Sequence, residues 1–148
     1  MLKSVRHKLE TASQLSWQDW LILLEAWWGL LAFYLAIRLA KFERLEEDST
    51  RPIGQGRGLP KDAIGWAWHT QRLVSMAARL HLFSMTCLPK ALTLRWMLSR
   101  RGIQAQLQIG MNKSPAGVYA HAWVEFSGEA IGEPEDIGDR FKVLQHAA

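Results

Sequence analysis

Thr86-Cys87-Leu88-Pro89-Lys90-Ala91-Leu92 opens the segment on which the fold turns. It carries the only cysteine of the 148-residue chain and starts a run, Cys87 to Arg101, whose spacing predicts a helix with Leu88, Leu92 and Met97 or Leu98 inward. Thr86 suits an N-cap, and Pro89 is tolerated in a first turn, where its missing N–H has no intrahelical partner. Cys87 therefore stands at a helix N-terminus. There the unpaired N–H groups and the positive end of the helix dipole favour thiolate over thiol, and the same groups could stabilise an oxyanion.

Downstream, Gly102 ends this helix after Arg100 and Arg101 have put positive charge at its negative end. The periodicity then changes to two. Ile103, Ala105, Leu107 and Ile109 alternate with Gln104, Gln106 and Gln108, as in a strand with one buried face. Lys113-Ser114-Pro115-Ala116-Gly117 reads as a turn. Val118 to Phe126 is a second strand, with Val118, Ala120, Ala122, Val124 and Phe126 on one face and Tyr119, His121, Trp123 and Glu125 on the other. Ser127-Gly128 is a hairpin turn, Glu129 to Glu133 a third strand and Phe141 to Leu144 a fourth. Upstream, Pro60 to Leu80 reads as a helix with Ile64, Trp68, Leu73, Met76 and Leu80 near helical spacing, expected to pack on the Cys87 helix. Helices first and an antiparallel sheet after them make the class α+β.

Ser16-Trp17-Gln18-Asp19 starts a longer helix, with Ser16 as N-cap and Asp19 completing a capping box in place of Glu. The pattern carries it to about Leu45. Ala26 to Ile37 holds no charge, but Asp19, Glu25 and Arg38 bracket it, leaving a clean apolar run short of the ~20 residues a bilayer requires. This helix is expected either to lie in the core or to offer a face to a partner protein or membrane surface. Glu46-Glu47-Asp48-Ser49-Thr50-Arg51-Pro52, followed by Gly54, Gly56 and Gly58, breaks the pattern. The organisation expected is an N-terminal helical region over 1–52, a Gly-rich linker over 53–59 and a core over 60–148.

Hydrophobic residues at 49%, charged residues at 22% and this length fit a single domain with its own core. A single cysteine excludes an internal disulfide framework and fits a reducing cytoplasm. Met1 to Thr11 is polar, unlike a signal peptide. The net charge of +4 comes with no RNA-binding motif or dense basic stripe, so nucleic acid is not an expected partner. No Gly-x-x-x-x-Gly-Lys loop is present, and neither a nucleotide nor another cofactor is expected. His69 and His81 have no metal-ligand spacing with each other or with Cys87.

A nucleophilic cysteine needs a base that takes its proton and returns it to a leaving amine, and His121, mid-strand, is the best candidate. A helix-borne Cys followed by a strand-borne His is the papain and transglutaminase order, closed in space rather than in sequence. The bland alternative is a small buried Cys87 and a hydrogen-bonded sheet histidine, the commoner fate of both residue types. Trp123 beside His121 either shields the site from water or simply packs, and Glu125 reads as a solvated strand residue.

Cys87-Leu88-Pro89-Lys90-Ala91-Leu92, Leu98-Ser99-Arg100-Arg101-Gly102-Ile103, Ile109-Gly110 and Ala120-His121-Ala122-Trp123-Val124-Glu125 with Gly128 closely resemble the B-type leader peptidases of lasso-peptide biosynthesis, in the transglutaminase-like superfamily. The likeness is detailed from about Pro60 onward and looser in the Trp- and Leu-rich helix. It implies a papain- or transglutaminase-like core and a cysteine protease that removes the leader from a ribosomally made precursor, freeing an amine for a separate ATP-dependent cyclase. Cys87 matches the nucleophile and His121 the general base and acid. The family's acid is an aspartate on the following strand, and the position in register here is Glu133, one methylene longer.

Strand parity bears on that residue. A two-residue Ser127-Gly128 loop pairs Val124 with Ile131 and sends Glu133 to the face opposite His121, whereas a three-residue turn or a bulge brings it to the right side. Asp136 is the fallback acid. Members of the family carry, or borrow from a separate protein, a small domain that grips the leader. This chain begins directly with the long helix, so a separate recognition protein is expected to present the precursor. The rival readings are a non-catalytic scaffold for precursor and cyclase, and an acyltransferase that uses the same Cys87 and His121 with an amine as acceptor.

Overall fold

A computed structural model describes residues 15–39 and 58–144. Three helices, α1 (Trp17–Leu39), α2 (Ala63–Leu80) and α3 (Cys87–Ser99), precede strands β1 (Gln106–Ser114), β2 (Gly117–Phe126) and β3 (Glu129–Ile131). A single turn, α4 (Ile137–Arg140), and a short β4 (Lys142–Val143) follow. The sheet is antiparallel in the order β3-β2-β1-β4, and α3 lies between it and the α1–α2 pair. This is the α+β order read from the sequence. The stretch assigned to the linker lies outside the described residues except for Gly58 and Leu59, as do residues 40–45 of the long helix.

Being the middle layer explains the composition of α3. Pro89, Ala91, Leu92, Thr93, Leu94, Met97, Leu98 and Ser99 are buried on several sides of the helix, not along one stripe. Leu88, expected inward, is half-exposed because the first turn projects to the edge of the layer. The helix stops in a Schellman motif. Ile103 N–H donates to Leu98 O and Gly102 N–H to Ser99 O, both at 3.0 Å, with the apolar pair Leu98 and Ile103 fully buried beneath. Arg101 does more than complement the dipole, since it donates to Glu25 Oε2 at 2.7 Å and to Met97 O at 2.8 Å, tying α3 to α1.

In α1 the capping box forms as expected. Ser16 N–H donates to Asp19 Oδ2 at 2.9 Å, and Asp19 N–H donates back to Ser16 Oγ at 3.2 Å. Ile22, Leu23, Ala26, Gly29 and Leu30 face inward. At Gly29 a side chain would meet Thr93 and Trp96 of α3 at 2.9 and 3.3 Å, so the two backbones approach as closely as only glycine allows. By length and composition α1 could cross a membrane. Its inner face nevertheless belongs to the same core cluster as α2, α3 and the sheet, while Trp17, Leu24, Trp28 and Leu39 remain exposed on the other side.

Helix α2 starts at Ala63 and not at Pro60, capped by Asp62, whose Oδ1 accepts from Gly65 N–H at 3.0 Å. Its buried face is Ala63, Ala67, Thr70, Leu73, Val74 and Ala77. Of the residues at helical spacing, Leu73 is buried, Ile64 and Met76 are half-buried, and Trp68 and Leu80 are exposed.

In the sheet, Ile103 and Ala105 are buried but precede β1, which starts at Gln106 and extends through Ser114, leaving only Pro115-Ala116 as the turn. Val124 and Ala122 face the helices. Val118 and Ala120, on the same side of β2, are exposed because the first half of the hairpin runs past the helical layer.

Candidate active site

Cys87 is the first residue of α3, and Thr86 holds the N-cap position in extended backbone. The Thr86 hydroxyl caps nothing, contrary to the expectation for it. Among the described residues no partner accepts from the Cys87 or Leu88 N–H, as is usual for the first turn of a helix. Cys87 is a free, half-buried thiol and lines a cleft of about 60 Å³ together with His121, Glu133, Gln71, Ser75 and Lys90. So small a cleft suits one bond of an extended chain better than an enclosed ligand.

His121 comes to the cleft from the middle of β2, paired with Gly110 of β1. Its Nε2 is 3.0 Å from Glu133 Oε1, and both side chains are about three-quarters shielded from water. With its proton on Nε2 donated to the carboxylate, the imidazole keeps Nδ1 as a lone-pair acceptor. Trp123, almost fully buried, stacks on the His121 ring at 6.0 Å between centroids, and Phe141 lies 5.3 Å from that ring. These two aromatics pack beside the imidazole. Phe141 had no signal in the sequence beyond being an aromatic near the last strand.

The loop after β2 is the two-residue Ser127-Gly128 turn with both residues at positive φ, and Val124 pairs with Ile131. That register alone would have sent Glu133 to the opposite face. It does not, because β3 ends at Ile131. Gly132 adopts φ +80° and Glu133 N–H donates to Ala130 O at 3.3 Å, so the chain leaves the pleat and swings the carboxylate back to His121. No bulge or longer turn is needed. A side chain at Gly132 would also collide with the Gln71 amide, whose Oε1 accepts from Ser75 Oγ–H at 3.0 Å. Asp136 lies at the N-cap of α4, where its backbone carbonyl accepts from Asp139 and Arg140, and it does not line the cleft.

The other residues singled out in the sequence fall elsewhere. His69 Nε2 meets Asp19 Oδ1 at 2.7 Å, and its Nδ1 accepts from Arg72 at 3.2 Å. His81 stacks on Trp27 at 4.6 Å between centroids. Glu125 is half-exposed on β2. Gln71, Ser75 and Lys90 were not anticipated at the cleft. Lys90 could have been, since it stands one helical turn beyond Cys87.

On this α+β fold a thiol at a helix start shares a cleft with a strand histidine that is paired with a carboxylate. The chain belongs to the transglutaminase-like superfamily, which residues 21–146 match. Over 71 residues it is 32% identical to the microcin J25-processing protein McjB of Escherichia coli, an alignment covering 48% of this chain and 33% of the relative. The chain thus matches about a third of that protein's length. Among solved structures, none matches the chain significantly.

Proposed function

We propose that the protein is a cysteine peptidase that removes the leader from a ribosomally synthesised precursor in lasso-peptide biosynthesis, acting in the reducing cytoplasm. The observation that carries this reading is the His121–Glu133 pair lining one cleft with Cys87. Likeness to a protein named for processing microcin J25 supports the substrate class.

In the mechanism, His121 Nδ1 takes the thiol proton and the thiolate attacks the scissile carbonyl carbon. Glu133 fixes the tautomer and stabilises the imidazolium that forms. The negative charge on the carbonyl oxygen develops beside the free N–H groups of the first turn of α3. Protonated His121 gives its proton to the leaving amine, which departs as the N-terminus of the core peptide. A thioester between the leader and Cys87 remains. Water, deprotonated by His121, hydrolyses it and restores the thiol.

A separate leader-recognition protein presents the precursor, and the freed amine is the substrate of an ATP-dependent cyclase. The test is mass spectrometry of a candidate precursor incubated with the protein, with and without the recognition partner. The reading expects little cleavage alone, a large gain with the partner, and a leader released as its free acid. A leader released as an amide of an added amine would instead establish acyl transfer, and binding without cleavage would favour a scaffold.

A further inference from the structure

Next to the Cys87 cleft is a more open groove of about 350 Å³, lined by Arg79, His81, Phe83, Ser84, Ser75 and Lys90 among others. Ser75 and Lys90 line both spaces, so the groove continues the cleft. Its charge is of one sign. Arg79 and Lys90 contribute cations, no carboxylate lines it, and among the described residues neither cation is in an ion pair. His81 accepts from Phe83 N–H through Nδ1 at 3.3 Å, which puts its proton on Nε2, and among the described residues Nε2 has no partner. Phe83 stacks on Tyr34 of α1 at 5.1 Å, giving the groove an aromatic wall fixed to the helical layer.

Two unpaired cations in a concave site make a field that attracts an anion, and a guanidinium with a carboxylate is a strong, directional pair. Distance narrows where that anion sits on a peptide. Lys90 is three residues beyond Cys87 on α3, about 5–6 Å between Cβ atoms. An extended peptide advances about 3.3–3.6 Å per residue. We infer that this groove is a substrate subsite receiving an acidic side chain of the peptide one or two residues from the bond that Cys87 attacks, held by Arg79 and Lys90. The substrate assignment rests on the peptidase reading, whereas the anion subsite does not.

Because the chain has one cysteine, alkylation reports on Cys87 alone. The experiment compares iodoacetate with iodoacetamide on the full chain, as wild type and as the Arg79→Gln/Lys90→Gln double variant. The iodoacetate-to-iodoacetamide rate ratio is expected to fall on the order of tenfold in the double variant and with added salt, and to recover with Arg79 intact and Lys90→Arg. An unchanged ratio overturns the subsite whatever else is seen. In parallel, precursor peptides with single Asp→Asn or Glu→Gln changes near the cut are tested with the recognition partner. One such change is expected to raise KM in the wild type and to have little effect in the double variant. Equal KM for acid and amide peptides in the wild type overturns the substrate assignment. A ratio that responds while no peptide is cut removes the peptidase reading and keeps the anion subsite.

Discussion

Among the described residues, two histidine–carboxylate pairs meet at similar distances, and their surroundings differ. His69 meets Asp19 at 2.7 Å and His121 meets Glu133 at 3.0 Å, in both cases through Nε2. At His69 the second nitrogen is also taken, by Arg72, and the pair joins the start of α1 to α2. Among the described residues the second nitrogen of His121 has no hydrogen-bond partner, and the ring lines the cleft with Cys87. The pairing distance says nothing about chemistry. What sets His121, the proton carrier we propose, apart from a clamp between helices is that its ring shares a cleft with a thiol.

The sharpest way to break this contrast is to remove each histidine. His121→Ala should lower precursor cleavage by at least about 10⁴-fold, as should Cys87→Ala, since residues that act as a unit fail together. His69→Ala should leave kcat/KM within about threefold of wild type and lower the melting temperature instead, because this part-buried pair ties α1 to α2 away from the cleft. Equal losses of activity in the two histidine variants, in chains that stay folded by circular dichroism, would erase the distinction.

Glu133→Gln comes next. It preserves size but exchanges an acceptor for an amide, and cleavage should fall by about 10²- to 10⁴-fold. Asp136→Asn should be close to neutral, since that side chain makes no capping bond. Retained cleavage in Glu133→Gln alongside loss in Asp136→Asn would reverse the order.

A smaller effect is expected at the turn that delivers Glu133. Gly132→Ala puts a methyl group at φ +80° and against Gln71, costing roughly 1–2 kcal/mol of stability and misplacing the carboxylate. Denaturant unfolding and kcat measured on the same sample separate the two consequences.

The smallest effect concerns Asp19. Hydrogen bonds from the Ser16 hydroxyl and backbone hold its carboxyl below the usual carboxylate range, and His69 adds to this while partial burial opposes it. A depressed folded-state pKa contributes stability that is complete above the unfolded value, about 3.9, and is lost as pH falls through the folded one. The melting-temperature gap between wild type and Asp19→Asn should therefore be steady from about pH 5 to 7 and begin to narrow below about pH 4. A gap that does not narrow on further acidification would assign it to packing.

Patterns set by local chemistry were legible in the sequence. Ser16 and Asp19 announced the capping box, Gly102 the end of α3, and the change of period at Ile103 the switch from helix to strand. Cys87 and His121 could be chosen because a helix start and a strand centre are places where their chemistry has consequences. Features set by tertiary contact were not legible. The inward face of α2 mixes Ala63, Ala67 and Ala77 with Thr70, Leu73 and Val74, while Trp68 and Leu80 are exposed despite their size. Register arithmetic offered the pairing of Val124 with Ile131 as one of two alternatives, and could not say that the strand ends there. The position of Glu133 depends on one glycine leaving the pleat, which no two-residue period encodes.

The most direct test of the account is the intact mass of the protein after acid quenching of a reaction with the precursor and the recognition partner. The account predicts a transient adduct equal in mass to the leader acyl group, mapped to Cys87 by fragmentation and absent from Cys87→Ala, which should not cleave. Undiminished cleavage by Cys87→Ala, with no adduct on the wild type, would contradict it.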